Sequence, residues 1–306
     1  MIVSGTIAAF APNYTAFMAA RAFIGVAIGG FWSMSTATAM RLVPGHQVPK
    51  ALAILNGGNA LATVVAPPLG SYLGAFIGWR GAFFCMVPVA ALALGWKLAS
   101  LPPMPAGAAS QAGSALALFR RLPVALGMLA AGLFFMGQFA LFTYLRPFLE
   151  TVTQLGATQL SLMLLVIGVA GFIGTTLIGG LLKDGLFRVL AAVPLLMSAI
   201  AVALIIFGAS AAAITLLLGV WGLVGTAAPV AWWTWLARTL PHDAEAGGGL
   251  MVAVVQLAIA SGATVGGIMF DSLGYRATFG GSAAVLALAA LAAVLAGRAN
   301  QSPAAA

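Results

Sequence analysis

The chain has 306 residues, of which 62% are hydrophobic and 6% are charged. An ordinary soluble domain has about 25% charged residues, so this chain has too little polar surface to cover a soluble globule. Its formal net charge of +8 comes from basic residues scattered along the sequence, whereas a nucleic-acid-binding face needs them clustered. The composition therefore predicts a polytopic, all-α membrane protein that contacts the lipid bilayer and has no nucleic-acid partner.

Charge-free apolar stretches predict nine complete membrane-spanning helices, because one span needs about 20 apolar residues. The apolar residues 2–11 are long enough for only half a span. Residues 189–237 form a charge-free run that is too long for one span, so it must fold back, and the small residues 208–210 mark the turn. The nine predicted helices cover residues 16–40, 51–75, 81–100, 123–145, 159–182, 189–208, 213–236, 249–270 and 277–297.

The basic residues alternate between the two sides of these helices. Of the 13 lysines and arginines, nine fall in loops on one side, and Arg80, Arg146 and Arg276 fall on the other. Cytoplasmic loops carry the excess of positive charge, so the C-terminus is predicted to be cytoplasmic. The remaining basic residue, Arg21, lies inside the first complete helix.

The sequence contains a weak internal repeat. Arg-Leu-Val-Pro at 41–44 recurs as Arg-Thr-Leu-Pro at 238–241, an offset of 197 residues. Gly-Trp-Arg at 78–80 recurs as Gly-Tyr-Arg at 274–276, an offset of 196 residues. Parallel repeats of this kind build the two halves of major-facilitator transporters.

This repeat predicts how the chain is divided. Residues 123–306 form a complete half of six helices, residues 101–122 a cytoplasmic connection, and residues 1–100 the remainder of the other half. By the same offset, that first half would begin before residue 1. We therefore expect a major-facilitator fold without its first two helices and part of the third.

Several short motifs resemble those of the major facilitator superfamily. Arg21 with Gly25 resembles the arginine motif of its fourth helix, and Pro67 with Gly70 the antiporter motif of its fifth. Residues 180–188, with Asp184 and Arg188, resemble its loop motif. An arginine inside the membrane is costly, so Arg21 is expected to face the bundle interior and find a partner, or else to extend to the outer interface. The small residue Gly25 suits helix packing.

Longer strings resemble bacterial purine ribonucleoside efflux pumps of the drug:proton antiporter division, above all residues 31–36 (Phe-Trp-Ser-Met-Ser-Thr) and 138–147 (Gln-Phe-Ala-Leu-Phe-Thr-Tyr-Leu-Arg-Pro). The resemblance implies a monomer of a bacterial inner membrane that exports a nucleoside-like small molecule in exchange for protons, by alternating access. The proton gradient would be its energy source, without a cofactor. Two alternatives stay open: a sugar or drug efflux permease of the same fold, and a truncated membrane protein without transport activity.

A transporter of this kind binds its substrate near the membrane midplane, between its halves. Amides can hydrogen-bond both donor and acceptor groups of a base or sugar, and an aromatic ring can stack on a purine. An amide could equally clamp two helices together. The candidate substrate-binding residues are Trp32, Asn59, Gln138, Tyr144 and Gln256.

Neither an enzyme nor a metal site is predicted. The sequence has no Cys/His cluster and no spacing of a nucleophile with a base. All five acidic residues lie in loops or at helix ends, so none provides a titratable group at mid-membrane for proton coupling. We expect that group in a preceding helix, with Arg21 as its partner.

Overall fold

A computed structural model describes residues 1–44, 48–102, 117–241 and 243–301, and every regular element in these ranges is a helix. The chain divides into two compact units, Met1–Ser110 and Gln111–Ala306. Of the predicted cytoplasmic connection 101–122, residues 103–116 lie outside the described ranges.

The first unit contains helices α1 (Ile2–Ala9), α2 (Tyr14–Leu42) and α3 (Val48–Ser100). The short α1 packs against both of the others. Helix α3 is bent at Gly78, where φ is 74° and ψ is 166°, a backbone conformation that is essentially open only to glycine. The predicted half-span at 2–11 is thus helical, and the predicted connection between residues 75 and 81 is a bend at a single residue.

The second unit begins with a 3-10 turn at Leu118–Arg120. Its helices are α4 (Leu122–Phe142), α5 (Leu145–Thr151), α6 (Ala157–Ile206), α7 (Ala211–Thr239), α8 (Ala244–Leu273) and α9 (Tyr275–Gln301). Helix α6 is bent at Gly185, which divides it into two spans. The main contacts join α6 to α7, α9 to α4 and α6, and α4 to α8. The largest fully buried side chains include Trp221, Trp235, Phe134, Phe148 and Phe279.

Glycines allow α6 and α7 to approach closely. Gly174 of α6 lies against the backbone carbonyl of Leu223 in α7, and Gly222 of α7 lies against the backbone of Ile167 in α6. A side chain at either glycine would overlap the backbone of the facing helix. Membrane helices commonly pack through small residues in this way, because burying apolar surface adds little inside a lipid bilayer.

Eight helices of the described part of the chain are long and apolar enough to cross a membrane. They confirm the prediction of an all-α, multi-pass membrane protein. The predicted span 51–75 lies within α3 and is helical along its backbone. Several of its side chains lie outside the described part, and this span is not among the eight membrane-spanning helices.

Three predicted boundaries need comment. The predicted helix 123–145 ends at Phe142 and resumes at Leu145, because the ring of Pro147 prevents a hydrogen bond to the carbonyl of Thr143. The loop predicted between residues 182 and 189 is wrong, since only Gly185 departs from helical geometry there. The turn predicted at residues 208–210 is confirmed, since α6 ends at Ile206 and α7 begins at Ala211.

The repeat in the sequence has a counterpart in the structure. Gly274, at the turn between α8 and α9, has a φ of 81° and a ψ of 177°, close to the values at Gly78. In both copies the arginine two residues later lies over the intervening aromatic ring: the guanidinium of Arg80 is 5.0 Å from the centre of Trp79, and that of Arg276 is 5.9 Å from the centre of Tyr275. The two sequence copies therefore form the same local turn.

Candidate functional site

Gln138, in α4, is a polar side chain inside the second unit. Its Oε1 is buried and accepts no hydrogen bond from any described residue. Its Nε2 faces Gly225 of α7, where an added Cβ would lie 3.2 Å from that nitrogen and 3.1 Å from the Cε of Met197 in α6. The amide thus lies where α4, α6 and α7 meet, and Gly225 leaves the space that it occupies.

A buried acceptor without a partner is unfavourable, by about 1–3 kcal/mol. Native structures rarely retain such a group without a reason, and a missing donor from a ligand or a water is one of them. One helical turn before Gln138, the buried ring of Phe134 packs on Trp232 of α7, with 6.3 Å between the ring centres. Gln138 and Phe134 thus both pack against α7, and the amide oxygen is left with an unused acceptor.

Tyr144 occupies a different environment. Its hydroxyl donates a 2.8 Å hydrogen bond to the backbone carbonyl of Ala263 in α8, and its ring stacks on Phe270 with 5.2 Å between ring centres. Both contacts hold the turn between α4 and α5 against α8. The ring that the sequence offers as a stacking surface is already stacked on a ring of the protein.

The other candidate binding residues are spread over both units. Gln256 is exposed on α8 of the second unit, and Asn59 is exposed on α3 of the first. Trp32 of α2 is half-buried with its ring at an edge-to-face angle to Phe31, 5.9 Å between centres. Within the second unit, Gln138 and Gln256 lie on the adjacent helices α4 and α8, and Tyr144 lies at the turn after α4.

The residues of the coupling motifs are mostly exposed. Arg21 of α2 and Arg188 of α6 are exposed, and Arg21 forms no hydrogen bond or ion pair with the part of the chain that the structure describes. A Cβ added at Gly25 or Gly70 would meet no described atom within 4 Å, so neither makes a close helix contact there. The side chains of Pro67 and Asp184 lie outside the described residues.

Sequence reasoning missed two polar contacts near the predicted cytoplasmic end of the second unit. Arg121 forms a 3.0 Å ion pair with Asp243, which joins the starts of α4 and α8. Arg238, near the end of α7, donates a 3.0 Å hydrogen bond to the carbonyl of Leu182 in α6. The repeat had singled out Arg238, but its acceptor is a backbone atom that no side-chain pattern can reveal.

Eight apolar helical spans in the described part of the chain define a multi-pass helical membrane protein. The profile of the Major Facilitator Superfamily matches residues 1–262, and the chain belongs to that superfamily. The crystal structure of the human organic anion transporter MFSD10 (TETRAN) has the same fold, with a TM-score of 0.75 and 19% identity over 95% of this chain and 74% of that one.

Two bacterial relatives align with almost the whole chain. It is 60% identical over 302 residues to the transcription regulatory protein OpdE of Pseudomonas aeruginosa PAO1, covering 97% of this chain and 75% of the relative. It is 38% identical over 291 residues to the purine ribonucleoside efflux pump NepI of Escherichia coli K12, covering 95% of this chain and 74% of the relative. Several enterobacterial pumps of the same name match equally well.

Proposed function

We propose that this protein is a secondary efflux transporter of a bacterial inner membrane, which exports purine ribonucleosides in exchange for protons by alternating access. The observation that carries the proposal is the 38% identity to a purine ribonucleoside efflux pump over 95% of the chain. Fold alone does not determine a substrate, and many functions share one architecture. Identity of this extent includes the helix interiors where a substrate is bound.

The environment of Gln138 supports a neutral, hydrogen-bonding substrate. Its buried Oε1 can accept from an N–H of a purine base or from a ribose hydroxyl. Hydrogen bonds are stronger in a low-dielectric interior than in water, so a single amide can contribute to selectivity. The side chain carries no charge, which suits a substrate without one.

Proton coupling is supported by the resemblance to antiporters rather than by a located carboxylate. Two acidic side chains of the second unit are already in ion pairs at helix ends, Glu150 with Arg146 at 2.8 Å and Asp243 with Arg121 at 3.0 Å. We assign to Arg21 the interaction with the proton-carrying carboxylate, because an arginine within a span needs an anionic partner.

The 60% identity to a protein named as a transcription regulator favours a second candidate. In that case the protein would influence transcription by exporting a small effector, since its scattered basic residues offer no nucleic-acid-binding face. The effector could be a sugar or a drug-like molecule handled by the same fold. This candidate shares the transport step and differs in the substrate.

Flux measurements separate these candidates. The purified chain is reconstituted into liposomes with an imposed pH gradient, and uptake of labelled inosine is compared with that of labelled arabinose. Purine export predicts inosine flux that requires both the gradient and the protein and is abolished by a protonophore. Arabinose flux without inosine flux would support the second candidate. If neither compound is transported, the proposal of purine export is contradicted for this chain.

A further inference from the structure

An open cavity lies in the first unit, where the bend of α3 at Gly78 meets the beginning of α2. Its volume is about 370 Å³, within the range of roughly 300 to 1,000 Å³ that is usual for small-molecule sites. The residues that line it are Ala11, Asn13, Tyr14, Phe17, Trp79 and Arg80. Three aromatic rings and one guanidinium therefore form most of its wall.

Arg80 is held in place on the cavity wall. Its Nη2 donates a 2.9 Å hydrogen bond to the carbonyl of Ala11, and its guanidinium lies 5.0 Å from the centre of the Trp79 ring. A guanidinium has five N–H donors, so most of them are left for a ligand. Arg80 forms no ion pair with the described residues, in contrast to Arg146, whose charge is compensated by Glu150 at 2.8 Å. The cavity thus contains an uncompensated positive charge.

The start of α2 adds to the positive potential of the cavity. The first turn of a helix carries unpaired N–H groups and the positive end of the helix dipole. The side chain of Asn13 accepts from the N–H of Ala16 at 2.9 Å, which satisfies one of these donors. A fixed guanidinium and a helix N-terminus at the same cavity favour an anion as its occupant.

The position of the cavity decides which anion can reach it. The apolar spans Tyr14–Trp32 and Phe76–Ser100 both have an end at this cavity, so it lies at the level of a membrane–water interface. The rings of Tyr14 and Trp79 are 76% and 51% exposed, and tyrosine and tryptophan are typical of the headgroup level. The phosphates of lipids lie at this depth, next to apolar surfaces that suit a glycerol backbone and acyl chains.

We propose that this cavity binds the phosphate group of an anionic phospholipid from the leaflet at the Gly78 end of the first unit. The guanidinium of Arg80 binds the phosphate oxygens, and Tyr14 and Trp79 flank the headgroup. This site is separate from Gln138, which belongs to the other unit. The inference therefore does not depend on the identity of the transported molecule.

The repeat offers a matched control. Arg276 stands in the same Gly-aromatic-Arg turn, and its Nε donates a 3.3 Å hydrogen bond to the hydroxyl of Tyr275. It does not line the cavity. Replacing Arg276 removes a charge from an equivalent turn without changing this cavity, so Arg80→Gln and Arg276→Gln separate specific binding from general attraction to the bilayer surface.

The test measures lipid binding to the full, delipidated chain by native mass spectrometry. Phosphatidylglycerol and phosphatidylcholine with identical acyl chains are titrated separately. We expect the chain to retain phosphatidylglycerol preferentially, and Arg80→Gln to reduce that preference about fivefold, as expected for one interfacial charge. Arg80→Lys, which keeps the charge, should retain most of the preference, and Arg276→Gln should leave it unchanged.

Three results would overturn the proposal, and none of them concerns flux. An equal preference for phosphatidylglycerol in the wild-type protein and the Arg80→Gln variant would show that the cavity does not select an anionic lipid, and so would an equal loss in both glutamine variants. Displacement of phosphatidylglycerol by millimolar inorganic phosphate or glycerol 3-phosphate would assign the cavity to a water-soluble phosphate instead. Since the readout is binding, none of these results bears on the proposed export activity.

Discussion

Gln138 has a buried amide oxygen without a described hydrogen-bond partner, and this property distinguishes a substrate contact from a helix clamp. Removing an unpaired buried polar group does not weaken a fold and can stabilise it. We expect Gln138→Leu to keep or raise the thermal stability of the protein in detergent, and to reduce inosine flux in liposomes by at least about tenfold, the equivalent of one lost hydrogen bond. A less stable protein with unchanged flux would show that Gln138 is a clamp.

Tyr144 should show the opposite behaviour. The substitution Tyr144→Phe removes the hydroxyl that donates to Ala263 at 2.8 Å but keeps the ring that stacks on Phe270. We expect a loss of about 1 kcal/mol in the free energy of unfolding and flux within about twofold of the wild type. The comparison with Gln138→Leu uses the same assays. Strongly reduced flux without loss of stability would show instead that Tyr144 contacts the substrate.

The two residues also show what sequence can predict at this scale. Both stand out as polar groups in a long apolar stretch of sequence, and that is visible without a structure. Their partners are not visible, because they lie on other helices: Tyr144 and its acceptor are 119 residues apart, and Gln138 faces Gly225. Whether a polar side chain is satisfied depends on backbone atoms that carry no sequence pattern.

Among the elements, the α6–α7 contact depends on the absence of side chains at a few positions. A Cβ at Gly174 would overlap the carbonyl of Leu223, whereas a Cβ at Gly179 of the same helix would meet no described atom within 4 Å. We expect Gly174→Ala to lower the free energy of unfolding by about 1–3 kcal/mol, as overpacking does. Gly179→Ala should be neutral or slightly stabilising. Denaturation in detergent, followed by circular dichroism, measures both, and equal effects would refute the proposed packing.

The turn between α8 and α9 is expected to depend on the glycine at position 274. Gly274 has a φ of 81° with open space around it, so an alanine there is opposed by the backbone alone, at about 1–3 kcal/mol. Gly280→Ala, in the following helix and also in open space, provides the control and should not destabilise the protein. Thermal unfolding of the two variants measures this difference in stability. A Gly274→Ala variant as stable as the wild type would mean that the turn can relax to an ordinary conformation.

Composition predicts that the membrane-spanning helices form more directly than it predicts the residues at which they begin and end. Long apolar runs predict the spans because every backbone polar group in a bilayer must be hydrogen-bonded within the segment. The ends depend on single residues: Pro147 breaks α4 early, whereas α6 continues past charged residues and bends only at Gly185. A helix can extend beyond the hydrocarbon core, so the charge at residues 183 and 184 indicates the membrane boundary and not the end of the helix.

For the whole molecule, the charge distribution predicts which side each loop faces. Local ion pairing supports that prediction, since Arg146, on the predicted outer side, is compensated by Glu150 at 2.8 Å. The alternation of loops requires that Ser272, before the turn at Gly274, faces outside. Arg120, before α4, should face the cytoplasm. Both residues are exposed in the second unit, so each can report the side on which it lies.

Cysteine labelling in whole cells tests this orientation. The chain contains one cysteine, Cys85, and Cys85→Ser provides the background for the single substitutions Ser272→Cys and Arg120→Cys. We expect a membrane-impermeant maleimide to label the Ser272→Cys protein in intact cells, and the Arg120→Cys protein only after the membrane is permeabilised. The reverse pattern would place the C-terminus outside and contradict the predicted orientation. Because cytoplasmic loops carry the excess of basic residues, labelling of the Arg120→Cys protein in intact cells would show that the charge distribution does not set the topology of this chain.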